Sequence, residues 1–144
     1  MQRWHAECST NVKLNHYCMF KTNFHVEKYT YAFDIDKYRK CLANFRSSSH
    51  SLMIEKGRHI GIDREHRSCF YCETVLENEF HFMIVCQLYD DIRLVYIPLY
   101  YYQFPSYTKF YSLMSSENET LIRNTAMYIY NAMLERENFL KCYD

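Results

Sequence analysis

Three cysteines and one histidine in the middle of the chain are the residues most able to do chemistry. Cys69-Phe70-Tyr71-Cys72 is followed by His81 and Cys86, a Cys-x2-Cys-x8-His-x4-Cys pattern. Structural zinc sites take four sulfur or nitrogen ligands in a tetrahedron, at about 2.3 Å for sulfur and about 2.0–2.1 Å for nitrogen. Cys69, Cys72, His81 and Cys86 would complete that shell and leave no position for substrate or water, so the metal would have a structural or binding role. A Cys-x2-Cys pair also fits a redox dithiol. That chemistry wants a strand and a helix around the pair, whereas Asp63-Arg64-Glu65-His66-Arg67 precedes it here. A plainer alternative makes His81 and Cys86 ordinary buried members of the apolar run Phe80 to Val85. His59 and His66 are other ligand types nearby, with no better spacing than His81.

The elements that must carry this knuckle read as helices. Ser9-Thr10 are good N-cap types, and the spacing after them predicts a helix over residues 9–24, in which His16 and His25 are surface or packing residues. Residues 26–33 read as an irregular or short helical connection. Asp34 or Asp36 can cap the next helix, where Tyr38, Cys41, Leu42 and Phe45 share one face and Lys37, Arg39 and Lys40 lie off it. Ser47-Ser48-Ser49 ends it. Residues 50–68 read as a connector whose Gly57 and Gly61 mark turns or helix C-caps. Phe80 to Cys86 alternates and is partly β-branched, which allows a strand, but Glu77 and Glu79 before it favour a short helix. A His and a Cys five apart lie about 140° apart around an ideal helix, so this one must end or distort near Cys86. Leu88, Ile92, Val95, Tyr96 and Leu99 predict a helix that Pro98 stops. Residues 100–104 form an aromatic connector. Tyr107, Phe110, Tyr111 and Met114 mark the next helix, and Ser116-x-x-Glu119 reads as a capping box for a last helix reaching about Leu140, with Ile122, Ala126, Ile129, Met133 and Leu140 as its buried stripe. Leu88-Tyr89-Asp90-Asp91 imitates a polymerase metal motif, but the aromatic position holds Leu88 and the setting is helical. Asp90 and Asp91 read as helix N-terminal acids.

The expected class is mainly α, a small single-domain helical assembly of residues 1–144 around the knuckle: N-terminal helices (1–49), connector and knuckle (50–87) and C-terminal helices (88–144). An apolar share of 49%, an aromatic share of 18%, and only two Gly and two Pro argue against disorder and against a turn-rich all-β fold. No apolar run is long enough for a transmembrane helix, and no apolar signal region follows the start. Seven Cys, three of them clustered with His81, suit metal binding in a reducing, intracellular setting. Net charge is zero yet unevenly spread: residues 37–67 carry eight basic and three acidic side chains, and residues 68–144 carry five and ten. The basic block could contact phosphate or could be a solvated face balancing an acidic one.

Several stretches together resemble the Cys-rich zinc-binding region at the C-terminal end of LINE-type (non-LTR) retrotransposon reverse transcriptases. Leu52-Met53-Ile54-Glu55-Lys56-Gly57-Arg58 is similar to the segment upstream of that knuckle. Arg67-x-Cys69-x2-Cys72, then Glu77-x-Glu79-Phe80-His81-Phe82, then Cys86-x2-Tyr89 and Arg93, resemble its core. Lys21-x2-Phe24-x2-Glu27-x-Tyr29 and Tyr128-Ile129-Tyr130 look like its flanks. The resemblance implies Zn²⁺ on Cys69, Cys72, His81 and Cys86, and a role in holding RNA or target DNA. The polymerase and endonuclease segments of such enzymes are not in this sequence.

The sequence therefore leads to a non-enzymatic, zinc-stabilised domain, with no catalytic residues, that binds RNA or single-stranded DNA. Arg58, Arg64 and Arg67 would contact phosphate. Phe70 or Tyr71 would stack on bases, or pack against a neighbouring helix instead. The alternative is a structural or protein-interaction module in which zinc staples helices and the acidic, Tyr-rich C-terminal half docks a protein partner. A redox or hydrolytic enzyme would need an open metal position or an activated thiol.

Overall fold

The structure, a computed structural model, describes residues 2–143. Its helices are α1 (Gln2–Thr10), α2 (Asn15–Phe20), α3 (Asp36–Arg46), α4 (Met53–His59), α5 (Asp90–Tyr96), α6 (Leu99–Tyr102), α7 (Tyr107–Met114) and α8 (Glu119–Lys141). Single 3₁₀ turns lie at Val12–Leu14, Lys28–Thr30, Arg64–His66 and Gln87–Tyr89, and a π turn spans His81–Val85. Among the described residues no strand forms, and an isolated antiparallel bridge joins Ser68 to Leu76. The chain is mainly α, as its composition and periodicity lead one to expect. No described helix is long and apolar enough to cross a membrane.

The core is built on α8. Its buried positions, Ile122, Thr125, Ala126, Tyr128, Ile129, Ala132 and Arg136, recur every three or four residues, which puts them on one face. Leu42 and Phe45 of α3 pack along that face. Phe82, fully buried in the π turn, holds the centre: its ring lies 5.6 Å from Phe45, 4.8 Å from Tyr89 and 5.9 Å from Tyr128. Aromatic pairs at such separations add about 0.5–1.5 kcal/mol each beyond their area burial. The segment carrying His81 and Cys86 is thereby anchored in the middle of the molecule.

Several local expectations are corrected. Ser9 and Thr10 do not open a helix; their hydroxyls donate back to the His5 and Ala6 carbonyls and close α1. Asn11 provides the cap that follows, accepting from Lys13 N, and the predicted helix over 9–24 is confined to Asn15–Phe20. The connector of residues 50–68 contains α4, and Gly57 lies inside that helix. Gly61 takes the left-handed conformation, φ 78°, that a turn after a helix requires. In α5 the buried residue is Arg93; Val95 points to solvent at 70% exposure. The aromatic connector contains α6. The capping box does not form either: Asn118 caps α8 by accepting from Leu121 N at 2.9 Å, and Ser116 accepts from Asn118 N.

Candidate metal centre

Cys69 and Cys72 sit on a tight loop tied by backbone bonds. Cys69 N donates to Val75 O at 2.7 Å, and Glu73 N donates to Cys69 O at 2.7 Å. The loop turns through Glu73, whose φ of 60° is left-handed. The Ser68–Leu76 bridge closes its base, and Glu77 N then donates to Arg67 O at 2.9 Å.

The other two ligand candidates are brought together by the π turn. Asn78 accepts from His81 N at 2.9 Å and starts the turn. Cys86 N donates to His81 O at 2.8 Å, a bond spanning five residues in place of four. An i→i+5 closure sets residue 86 above residue 81, where an α-helix would carry it well to one side. This is the distortion that the spacing required. Cys86 then leaves with φ −63° and ψ 124°, ending the helical path.

Widening the turn leaves carbonyls without helical partners, and two buried side chains satisfy them. The Tyr128 hydroxyl donates to Phe82 O at 2.6 Å. Arg93 donates from Nε to Met83 O and from Nη2 to Cys86 O, each at 2.9 Å. Arg93 is 1% exposed and also pairs with Asp90 on the first turn of α5.

Cys69, Cys72, His81 and Cys86 bring their ligand atoms within 4.8 Å of one another, and three of the four residues are buried. The Sγ of Cys86 lies 3.9 Å from that of Cys69 and 3.8 Å from that of Cys72. A disulfide would need about 2.05 Å. Thiolates bound at about 2.3 Å in a tetrahedron stand roughly 3.8 Å apart. Both ring nitrogens of His81 are buried without a hydrogen-bond partner, a cost the fold carries only if something else satisfies one of them. The donor set and its spacing therefore fit a metal ion. The thiols are already biased toward ionisation at one position. The Cys69 thiol is pulled down to about 3, chiefly by the hydrogen bond from Cys86, with burial opposing and His81 assisting. That same bond, with burial, pushes Cys86 up, and burial first of all pushes Cys72 up. A cation bound between them would displace the remaining protons.

Glu77 fastens this centre to the helices on either side. Its carboxylate accepts from Arg136 Nε at 2.7 Å and Nη2 at 2.8 Å, and from Met53 N at 2.6 Å at the start of α4. The sequence reading missed Arg136, although its place in the α8 stripe was readable: it lies four residues after the buried Ala132.

The proposed nucleic-acid contacts fall into two groups. Arg64 is exposed on its 3₁₀ turn, and Phe70 and Tyr71 are 47% and 44% exposed beside the candidate ligands. Tyr71 meets the Phe139 ring edge-on at 5.6 Å, and the Arg136 guanidinium lies 5.8 Å from the Phe70 ring. Each ring is thus part packed and part free. Arg58 is half-exposed and donates to Glu55 at 2.7 Å. Arg67 is engaged within the fold, donating to Ile62 O at 2.8 Å and Ile54 O at 3.1 Å, while its stem covers Gly57. Asp63, Glu65 and His66 also bring ligand atoms together, but all three are exposed, where water competes for any cation.

Compared with models of protein families, with curated proteins and with solved structures, the chain matches none.

Proposed function

We propose that this chain is a non-enzymatic, zinc-stabilised helical module that binds single-stranded nucleic acid, related to the knuckle region of LINE-type reverse transcriptases. The observation that carries the metal part is the pair of orphaned His81 nitrogens beside three thiols, with Cys86 at tetrahedral spacing from both Cys69 and Cys72. Three sulfurs and one imidazole favour Zn²⁺ over harder ions. Four protein ligands leave no open position, which argues for a structural ion.

The nucleic-acid part is supported by Phe70 and Tyr71, each about half exposed on the knuckle, and by Arg64 on the preceding turn. Aromatic faces stack on unpaired bases at about 1–3 kcal/mol per base, and arginines neutralise phosphate. Titration of zinc-loaded protein with single-stranded RNA and DNA at several salt concentrations tests this. Affinity should fall steeply with salt. Tyr71→Ala should weaken binding, and Arg64→Gln should both weaken it and flatten the salt dependence by about one ion. Salt-independent or undetectable binding of both nucleic acids would reject this part.

A second reading, zinc as a staple within a protein-interaction module, has its own support. Leu94, Val95, Leu99, Tyr100 and Phe104 are each more than half exposed along α5, α6 and the turn after them. Consecutive exposed apolar groups of this size are common at protein contacts.

A further inference from the structure

Outside the knuckle, two cations are buried around one carboxylate. Lys21 and Arg46 are 7% and 6% exposed, and both pair with Glu27, Lys21 at 3.4 Å and Arg46 more closely. Arg46 also donates to Met114 O, the last residue of α7, and its cation lies over the Phe20 and Tyr29 rings, 4.5 and 5.3 Å from their centroids. Neutral partners of this kind stabilise a guanidinium but do not cancel its charge. The Arg46 Nε remains buried with no hydrogen-bond partner. Burial holds the Arg46 guanidinium below its ordinary value, and Glu27 offsets only part of that.

The same residues line a cavity of about 140 Å³, several times the roughly 30 Å³ share of one water molecule. Its lining adds Lys28, whose ammonium lies 3.4 Å from Glu117, and the residues Thr22, Asn23, Ser115 and Ser116. The lining thus holds three fixed cations, Lys21, Lys28 and Arg46, against two carboxylates, Glu27 and Glu117, with His25 also present. A buried, incompletely neutralised cation beside a polar cavity calls for an anion with several acceptor oxygens.

We propose that this cavity is a binding site for a tetrahedral oxyanion: inorganic phosphate or the phosphoryl group of a small phosphomonoester. Arg46, Lys21 and Lys28 supply its positive charge, and Ser115 and Ser116 are among its lining residues. The site is independent of the metal centre and of nucleic-acid binding.

The test is calorimetric titration of the zinc-loaded protein with inorganic phosphate and, separately, with O-phosphoserine, against sodium chloride of matched ionic strength. Saturable binding of one phosphate per chain, with a matching rise in melting midpoint, is expected. Arg46→Gln should abolish it, but that variant removes a buried ion pair and can fail to fold. Ser116→Asp adds a carboxylate to the wall while keeping an acceptor for Asn118 N, and should weaken phosphate binding at least tenfold with the helical content unchanged. Tighter binding of O-phosphoserine would assign the site to esterified phosphate, and equal or weaker binding to the free ion. Equal effects of chloride and phosphate, or phosphate binding that Ser116→Asp leaves unchanged, would overturn the proposal.

Discussion

Glu77 and Arg136, distant in sequence, meet as a two-point ion pair with N–O distances of 2.7 and 2.8 Å, each side chain no more than 5% exposed. The pair joins the root of the knuckle to the long C-terminal helix, and the third bond of Glu77 adds the start of α4. Removing one partner leaves the other buried and uncompensated, at about 3–5 kcal/mol. Arg136→Met and Glu77→Gln should each destabilise by about that amount in urea unfolding of metal-loaded protein. The double variant should lose much less than the sum of the two. Additive losses would mean that the two groups act separately.

Metal removal gives a second prediction. One Zn²⁺ should bind per chain, and chelation should lower the helical circular dichroism signal, since His81 and Cys86 are held on the segment that carries Phe82 into the core. Cys72→Ser and His81→Ala should each abolish stoichiometric binding. Unchanged helicity after chelation, in wild type and both variants, would show that the cluster is not part of the fold's support.

Two of the left-handed positions, Glu73 and Gly61, predict opposite signs. Glu73 adopts φ 60° with a side chain, so Glu73→Gly should stabilise the knuckle by about 1 kcal/mol. Gly61 adopts φ 78° with open space around it, so Gly61→Ala should cost about 1 kcal/mol through backbone strain alone. Gly57 differs from both. A Cβ there would lie 2.7 Å from Arg67 Cγ, so Gly57→Ala should destabilise despite the helix preference for alanine. In an Arg67→Ala background the sign should reverse. Chemical denaturation of the set measures all four effects.

Acid sensitivity should trace in part to His16. Its ring packs against Phe110, and its Nε2 lies 3.6 Å from Glu79. Burial lowers its pKa from 6.5; Glu79 pulls the other way, and Arg64 and His50 add to the lowering. The unfolded chain therefore takes up a proton that the folded chain refuses. The contribution is fully present above about 6.5 and is lost as pH falls from there through the lower folded value. His16→Gln should make stability less pH-dependent between about pH 7 and 5 than in wild type. Protonation of the metal ligands is common to both proteins and drops out of the difference.

What could be read from the sequence follows from the kind of signal each feature leaves. Cys69, Cys72, His81 and Cys86 are ligand types at close spacing, so the cluster was legible without any fold. The mainly α class followed from three- and four-residue periodicity, as did Ile122, Ala126 and Ile129 on the α8 face; further along, Ala132 and Arg136 are buried and the expected Met133 and Leu140 are only half-buried. Features fixed by tertiary contacts were not legible. Gly57 reads as a breaker until Arg67 is seen lying across it. Arg93 lies off the apolar spacing expected of α5, and becomes core because the π turn frees carbonyls that its long side chain reaches. Val95 fits an apolar stripe but points to solvent, since Arg93 takes the inward face of α5. Ser116 and Glu119 match a capping box, yet Asn118 is better placed by one turn of local geometry.

The candidate ligands all lie between residues 69 and 86, whereas the Arg136 that fixes Glu77 between them belongs to the last helix. Closing so short a loop carries a small entropic penalty. A metal ion bound as proposed would be captured during synthesis while α8 is still being made, shielding the thiols of the partly built chain from oxidation as it emerges. Arrival of Arg136 then converts a reversible local capture into a locked one, so metal exchange should be fast in nascent or C-terminally truncated chains and slow in the finished protein.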